Sequence, residues 1–153
     1  MFNGFDATLS GVTFRAKESK GAIRRSCELT VETDFSPELA KSFGSEAERW
    51  RDDLIAVAAE QIKIPISDLQ VTAAFEAAEG GKHKVPMARG ISAIGQACGA
   101  DDEEPRIKIR LAFSLRNEDA AWFAPRLGEV VEVRLQKTQL SLLEPDGRQS
   151  ATG

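Results

Sequence analysis

The chain has one histidine, two cysteines and no tyrosine among its 153 residues. A single histidine cannot supply a multi-histidine metal site, and neither cysteine belongs to a C-x-x-C pair, so zinc binding and thioredoxin-like chemistry are disfavoured. The absence of tyrosine removes one common general acid. The sequence also contains no G-x-S-x-G nucleophile motif, no P-loop and no G-x-G-x-x-G. We therefore expect a protein that is not an enzyme and that holds no cofactor or metal.

Long apolar runs are missing as well. No run approaches the ~18 apolar residues that a membrane-spanning helix needs, and the start, Met-Phe-Asn-Gly-Phe-Asp, lacks the basic and apolar regions of a signal peptide. These features predict no membrane partner and a cytoplasmic location, in the host or infected-cell cytosol. Cys27 and Cys98 lie in strand-like stretches and are expected to be buried free thiols. The sequence leaves open whether the two are close in space.

The strongest positive signal is a strict alternation over residues 106–116. Its odd positions are apolar, and most of its even positions are basic: Ile107, Ile109, Leu111, Phe113 and Leu115 against Arg106, Lys108, Arg110 and Arg116. Successive side chains of a strand point to opposite faces. The run therefore predicts a long, half-buried strand with a basic outer face.

The fold class expected from the remaining patterns is α+β. Shorter alternating stretches bring the total to about seven or eight mostly antiparallel strands, and the first two form a hairpin around a turn at residues 17–21. Helical spacing of Ala47, Trp50, Leu54, Val57 and Ala58 predicts one main helix at 46–61. Short helices are expected near 37–43 and 117–127. Residues 1–144 are expected to form a single domain and residues 145–153 a flexible polar tail.

A partly closed, OB-like β-barrel is the alternative architecture. The alternation changes phase at Ser10-Gly11 and again within residues 136–139. Such slips suit strands that bulge or bend around a corner. Strand order and closure of the sheet are not readable from the sequence.

Basic residues form the candidate contact sites for a nucleic acid or an acidic partner. Five crowd the first hairpin, four lie on the later strand and one points outward from the last strand: Arg15, Lys17, Lys20, Arg24 and Arg25; Arg106, Lys108, Arg110 and Arg116; and Arg134. A basic sheet face can follow a phosphate backbone. The alternative is a solvated face balanced by Glu28, Glu32, Glu76 and Glu132 on neighbouring strands. Phe14, Phe75 and Phe113 are expected to face inward, which leaves no platform on which bases could stack.

Two further features have mainly structural interpretations. The run Asp101, Asp102, Glu103 and Glu104 is expected to be a solvated loop, with contact to a basic partner as the functional alternative. It lacks the spacing and glycine of an EF-hand loop. His83 lies beside a Gly-Gly turn and is expected to be a polar residue on an exposed strand.

The function expected first is a non-catalytic binding protein that acts through a protein–protein interface, such as an inhibitor, adaptor or assembly factor. A compact chain of strands and short helices without a cofactor motif is common among small phage and prophage accessory proteins. The alternative is a nucleic-acid-binding accessory protein that uses the basic sheet faces. The net charge of −4 disfavours non-specific nucleic-acid binding, but a local patch can override it. The nucleic-acid alternative gains support if Arg15, Arg24, Lys108 and Arg110 converge on one surface. The oligomeric state and the identity of the partner stay open.

Overall fold

The computed structural model describes residues 2–57, 59–66, 69–79, 81–97 and 104–137. Within them lie seven strands: β1 (Phe2–Ser19), β2 (Ala22–Asp34), β3 (Gln61–Ile64), β4 (Gln70–Ala77), β5 (Gly81–Gln96), β6 (Arg106–Ser114) and β7 (Val130–Lys137). The helices are α1 (Pro37–Ser42), α2 (Ser45–Ile55) and α3 (Asn117–Phe123), and α3 runs on into a 3₁₀ turn at Ala124–Arg126. No helix in these described ranges is long and apolar enough to cross a membrane.

The sheet closes into a six-stranded barrel. Neighbouring strands follow the order β5-β4-β7-β1-β2-β6, all antiparallel, and the pairing of β6 with β5 completes the circle. Strand β3 lies outside the ring and pairs, among the described strands, with β5 alone. The predicted α+β fold with an antiparallel sheet is confirmed, and the sheet closes fully where the sequence suggested a partly closed barrel.

The barrel interior is filled by one face of each strand. In β6, the odd-numbered side chains Ile107, Ile109, Leu111 and Phe113 are all buried, as their alternation predicts. Full burial of such a side chain contributes about 1.5–3 kcal/mol. The two ends of the barrel are closed by helices. At one end Phe123 of α3 meets Phe75 edge to face at 5.0 Å between ring centroids, and at the other Leu54 of α2 lies over Gly95.

The main helix is shorter than the predicted 46–61. Helix α2 ends at Ile55, because Val57 takes a left-handed backbone conformation with φ 54° that a helix cannot continue through. Val57 is 63% exposed rather than part of the buried stripe, and Gln61 already belongs to β3. The short helices near 37–43 and 117–127 are confirmed as α1 and as α3 with its 3₁₀ turn.

The predicted bend near the start of the chain is confirmed. The register of β1 against β2 shifts between Leu9 and Gly11. The second predicted bend, within residues 136–139, lies partly outside the described residues. The predicted tail at 145–153 lies wholly outside them. Cys27 is a buried free thiol, as expected. Cys98 lies outside the described residues.

Candidate functional site

The hairpin of β1 and β2 extends beyond the barrel as a two-stranded ribbon. Strand β7 pairs with β1 only as far as Thr8, and β6 pairs with β2 only from Ser26 onward. Between these points β1 and β2 continue to pair with each other up to Ser19 and Ala22. Every residue from 13 to 25 is exposed. We call residues 13–25 the arm.

The tip of the arm is a two-residue turn at Lys20 and Gly21. Their φ angles are 53° and 78°, the double left-handed pattern of a type I′ turn, whose twist matches that of the flanking strands. Glycine adopts this conformation freely, whereas for lysine it costs about 1–2 kcal/mol. The turn therefore holds the two strands in register and places the Lys20 side chain at the far end of the arm.

Positive charge is concentrated on the arm. Its five basic residues outnumber its single acid, Glu18, so the arm carries a formal charge of +4 while the whole chain carries −4. Lys17 and Arg24 lie directly opposite each other across the ladder, an arrangement of like charges that destabilises a sheet. Arg15 faces Ser26, so it is a diagonal neighbour of Arg24 rather than its direct partner.

The two faces of the arm differ. Arg15, Lys17 and Arg24 share the face that continues the outside of the barrel, as the pairing register requires. Arg25 lies opposite Ala16 and therefore on the other face. That other face also carries Phe14, which is 44% exposed. The expected inward position of Phe14 is thus only half realised, because its strand has already left the barrel, whereas Phe75 and Phe113 are buried as predicted.

The basic face of the arm continues onto the barrel. Glu28 accepts a hydrogen bond from Arg110 of β6 at 2.6 Å and forms an ion pair with Arg15 at 3.1 Å, so one carboxylate holds both arginines together. Lys108 lies on the same outer face of β6, two residues from Arg110. Arg15, Arg24, Lys108 and Arg110 therefore share the outer face of three neighbouring strands.

One exposed cation of this face was missed at the sequence level. Arg89 of β5 is exposed and lies beside Ala112 of β6, in the same row as Glu28. Its face could not be read from the alternation, because the pairing of β5 with β6 shifts register between Gly90 and Ser92. We call the cations of the outer face and of the arm's tip the basic surface; its members are Arg15, Lys17, Lys20, Arg24, Arg89, Lys108 and Arg110.

Three predicted cations are engaged elsewhere. Arg106 pairs with Asp34 at 2.8 Å, at the end of β6 away from the arm. Arg134 is exposed on β7, where it pairs with Glu132 at 3.1 Å. The expectation that Arg116 shares the strand face is wrong, because β6 ends at Ser114 and Arg116 turns its side chain toward α3.

The acids expected to balance the basic face do so only in part. Glu28 and Glu132 form the ion pairs given above, whereas Glu32 and Glu76 form none within the described part of the chain. Of the acidic run, Glu104 is bound by Arg51 at 2.6 Å, which ties it to α2. Asp101, Asp102 and Glu103 lie outside the described residues.

His83 belongs to a buried polar cluster, so the expectation of an exposed polar residue is wrong. Its side chain is only 10% exposed and stacks on Trp122 at 5.3 Å between ring centroids. Its Nε2 lies 2.7 Å from Oδ1 of the fully buried Asp119. Asp119 also accepts hydrogen bonds from Nε, Nη2 and the backbone N–H of Arg116.

The electrostatics of this cluster favour an ionised Asp119. Burial by itself raises the pKa of the carboxyl, but the hydrogen bonds from Arg116 and His83 outweigh it and hold the pKa below its ordinary value. Because an ionised carboxylate only accepts hydrogen bonds, Nε2 of His83 carries the proton. Within the described residues no hydroxyl or thiol is hydrogen-bonded to His83, and burial raises the pKa of the Cys27 thiol to about 12. The cluster therefore fastens α3 to β5.

A cleft of about 370 Å³ adjoins this cluster on the outside of the barrel. It is lined by side chains of both charge signs: Ala74, Phe75, Glu76, Lys82, His83, Lys84, Glu132 and Arg134. Among the described residues no three histidine, cysteine, aspartate or glutamate side chains gather as a metal site would require. Charges of opposite sign around the cleft give it no strong preference for an anion or a cation.

Comparison with known proteins returns no relative. The chain matches no protein-family model, and neither a curated protein nor a solved structure is significantly similar to it. Functional inference therefore rests on the geometry and charge of the molecule itself.

Proposed function

We propose that this protein binds nucleic acid through its phosphate backbone, using the basic surface. The observation that carries the proposal is the arm, which concentrates a formal charge of +4 in thirteen exposed residues of a chain whose net charge is −4. A local field of this kind attracts a polyanion even when the protein as a whole is acidic. The proposal also meets the condition set above, since Arg15, Arg24, Lys108 and Arg110 lie on one face.

The arm cations are available for an external partner. Four of these cations form no ion pair with any residue in the described ranges: Lys17, Lys20, Arg24 and Arg25. All four are exposed, so binding a phosphate does not require breaking an internal contact. The direct pairing of Lys17 with Arg24 does not stabilise the hairpin, because like charges repel across the ladder. A phosphate bound between them would relieve this repulsion.

Glu28 organises the junction between the arm and the barrel. By holding Arg15 and Arg110 it keeps two guanidinium groups on the outer face, each still more than 40% exposed. Arginine presents several N–H donors in a planar fork. Donors that are not directed at Glu28 are free to reach phosphate oxygens, so the junction adds contacts beside those of the arm.

The test is a fluorescence-anisotropy titration with labelled oligonucleotides at several salt concentrations. Affinity should fall as salt rises, with a log–log slope of about −0.7 to −0.9 for each phosphate neutralised. The double variant Lys17→Glu with Arg24→Glu should weaken binding strongly. Arg134→Glu with Lys41→Glu is the matched control, because it makes the same four-unit charge change at exposed sites outside the basic surface. Equal losses in the two proteins, or no binding by the wild type at low salt, would reject the proposal.

A protein–protein interface is the second candidate function, as for an inhibitor, adaptor or assembly factor. The observation that favours it is the opposite face of the arm, where Phe14 is 44% and Ile23 is 60% exposed. The edge of β1 beyond Leu9 has no ladder partner among the described strands, so a partner strand can add to it. Affinity capture with the wild type and with Phe14→Ser/Ile23→Ser tests it. A partner captured equally by both proteins would not use this face.

A further inference from the structure

We infer that the nucleic acid is a B-form DNA duplex and that the arm lies in its major groove. This inference rests on the proposed function and names its substrate. It draws on the shape of the arm, on the distribution of cations around it and on the position of the exposed aromatic side chain.

The arm has the dimensions of a groove-binding ribbon. Paired strands lie ~4.8 Å apart and advance ~3.3 Å per residue, so the arm extends ~20 Å from Thr13 to its tip. The major groove of B-form DNA is ~12 Å wide and admits a two-stranded β-ribbon. The major groove of A-form RNA is deep and too narrow for side chains to read. The shape of the arm therefore favours duplex DNA over duplex RNA.

The cations of the arm lie mainly on its outer face and at its tip. Arg15, Lys17 and Arg24 lie on the outer face, Arg25 lies on the opposite face and Lys20 stands at the tip. A ribbon inside a groove has a phosphate backbone on each side of it. On the opposite face Arg25 is accompanied by the acid Glu18, so the net positive charge lies on the outer face and at the tip, the parts of the arm that would enter the groove between the two backbones.

The aromatic side chain is on the wrong side for single-stranded nucleic acid. Non-specific single-strand binders stack bases on aromatic side chains within a cationic groove. On the outer face of the arm the described residues include no aromatic side chain: Thr13, Arg15, Lys17, Ser19, Ala22 and Arg24. Phe14, the arm's one aromatic residue, projects from the opposite face. The outer cations therefore have no stacking partner beside them.

The barrel supplies contacts that flank the groove. Lys108 and Arg110 lie on β6 next to the base of the arm, and Arg89 lies on β5 beyond them. With the arm inserted, these side chains face the backbone at the rim of the groove. Phosphate contacts of this type fix the position of a protein on the duplex but carry no sequence information.

The test compares three labelled probes of one sequence: a DNA duplex of ~20 bp, its single strand and the equivalent RNA duplex, at two salt concentrations. We expect the DNA duplex to bind most tightly, and Lys17→Glu with Arg24→Glu to lower its affinity at least ~10-fold, since two phosphate contacts are lost. Methyl green, which occupies the major groove, should displace the protein, and netropsin, which occupies the minor groove, should not. Arg134→Glu should bind as the wild type does.

Several outcomes separate this inference from the proposed function. Tighter binding of the single strand, lost in Phe14→Ala, would overturn the duplex inference and leave nucleic-acid binding intact. Preference for RNA, or displacement by netropsin alone, would do the same. Failure to bind any probe at low salt would overturn both. Lys17→Gln with Arg24→Gln repeats the measurement without introducing negative charge, and unchanged circular dichroism spectra confirm that the variants are folded.

Discussion

Replacement of Asp119 by alanine tests the view that its cluster is structural. The carboxylate is fully buried and accepts four hydrogen bonds, three from Arg116 and one from His83. Two of the Arg116 bonds come from the guanidinium and one from the backbone N–H at the start of α3. Asp119→Ala removes all four bonds: Nε2 of His83 and Nε of Arg116 lose their acceptor, whereas Nη2 of Arg116 keeps its bond to the backbone oxygen of Lys84.

The expected cost follows from how well each partner can return to water. Removing one member of a buried ion pair typically costs about 3–5 kcal/mol. The Arg116 side chain is 38% exposed and rehydrates in part, whereas the His83 side chain is 10% exposed and does not. We therefore expect a loss near the lower end, about 3 kcal/mol, which is a large share of the 5–15 kcal/mol that stabilises a typical domain.

Urea denaturation followed by tryptophan fluorescence measures this loss, and Trp122 beside His83 provides a reporter within the cluster. Glu118→Ala is the matched control, because Glu118 is the neighbour of Asp119 in the chain but its side chain is 67% exposed. Its carboxylate lies 3.8 Å from Nη1 of Arg116, a much looser contact than those of Asp119. The cost of Glu118→Ala should stay below about 0.5 kcal/mol. A loss under about 1 kcal/mol for Asp119→Ala would refute the reasoning.

The same cluster predicts a pH dependence of stability. Because the pKa of Asp119 in the folded protein lies below its ordinary value of 3.8, its stabilising effect is complete above that value and is lost as the pH falls through the folded pKa. The difference in unfolding free energy between wild type and Asp119→Asn should therefore shrink on acidification below about pH 4. A difference that is constant down to the acid transition would show that the ionised carboxylate is not the stabilising species.

Three further predictions concern single sites. Burial raises the pKa of Cys27 from 9.0 to about 12. From about pH 9 upward, the wild type should therefore lose unfolding free energy relative to Cys27→Ala, by up to about 1.4 kcal/mol per pH unit. Urea midpoints of the two proteins that differ by the same amount at every pH would contradict this. Gly90→Ala should cost about 1–3 kcal/mol and more than Gly95→Ala, since the new Cβ would clash with the backbone oxygen of Ile66 at Gly90 but would meet a side-chain methyl of Leu54 at 2.9 Å at Gly95; equal melting temperatures would refute this. Lys20→Gly should relieve the turn strain of about 1–2 kcal/mol yet weaken DNA binding, and a gain in affinity would contradict the role of the arm.

Much of the barrel could be predicted because a strand that buries one face must alternate. The odd-numbered residues of β6 are the clearest case, and the phase slip at Ser10-Gly11 correctly marks a change of register. Helix α1 could be predicted for a local reason too, because Ser36 accepts a hydrogen bond from the N–H of Leu39 and Pro37 occupies the first turn.

Other features depend on where an element lies rather than on its own pattern. Alternation places Phe14 on the inward face, but that face is buried only while the strand belongs to the barrel. Helical spacing continues through Val57, yet α2 ends before it. The contact between His83 and Asp119 joins residues 36 positions apart, and no local pattern links them.

The sequence by itself determined which residues are basic, that Arg106, Lys108 and Arg110 share a strand face, and that the first hairpin turns within residues 17–21, because side-chain alternation and turn chemistry are local. It could not determine that the sheet closes, since closure depends on the register in which β5 pairs with β6. Only the tertiary structure decided that β1 and β2 extend beyond the strands next to them and form an arm. It also decided that Glu28 binds both Arg15 and Arg110, and that Arg116 bonds to Asp119 of α3 instead of lying on the basic face. These outcomes follow from the lengths and registers of strands that are distant in the chain, and hydrogen-bond pairing between such strands is settled when they pack around a common core.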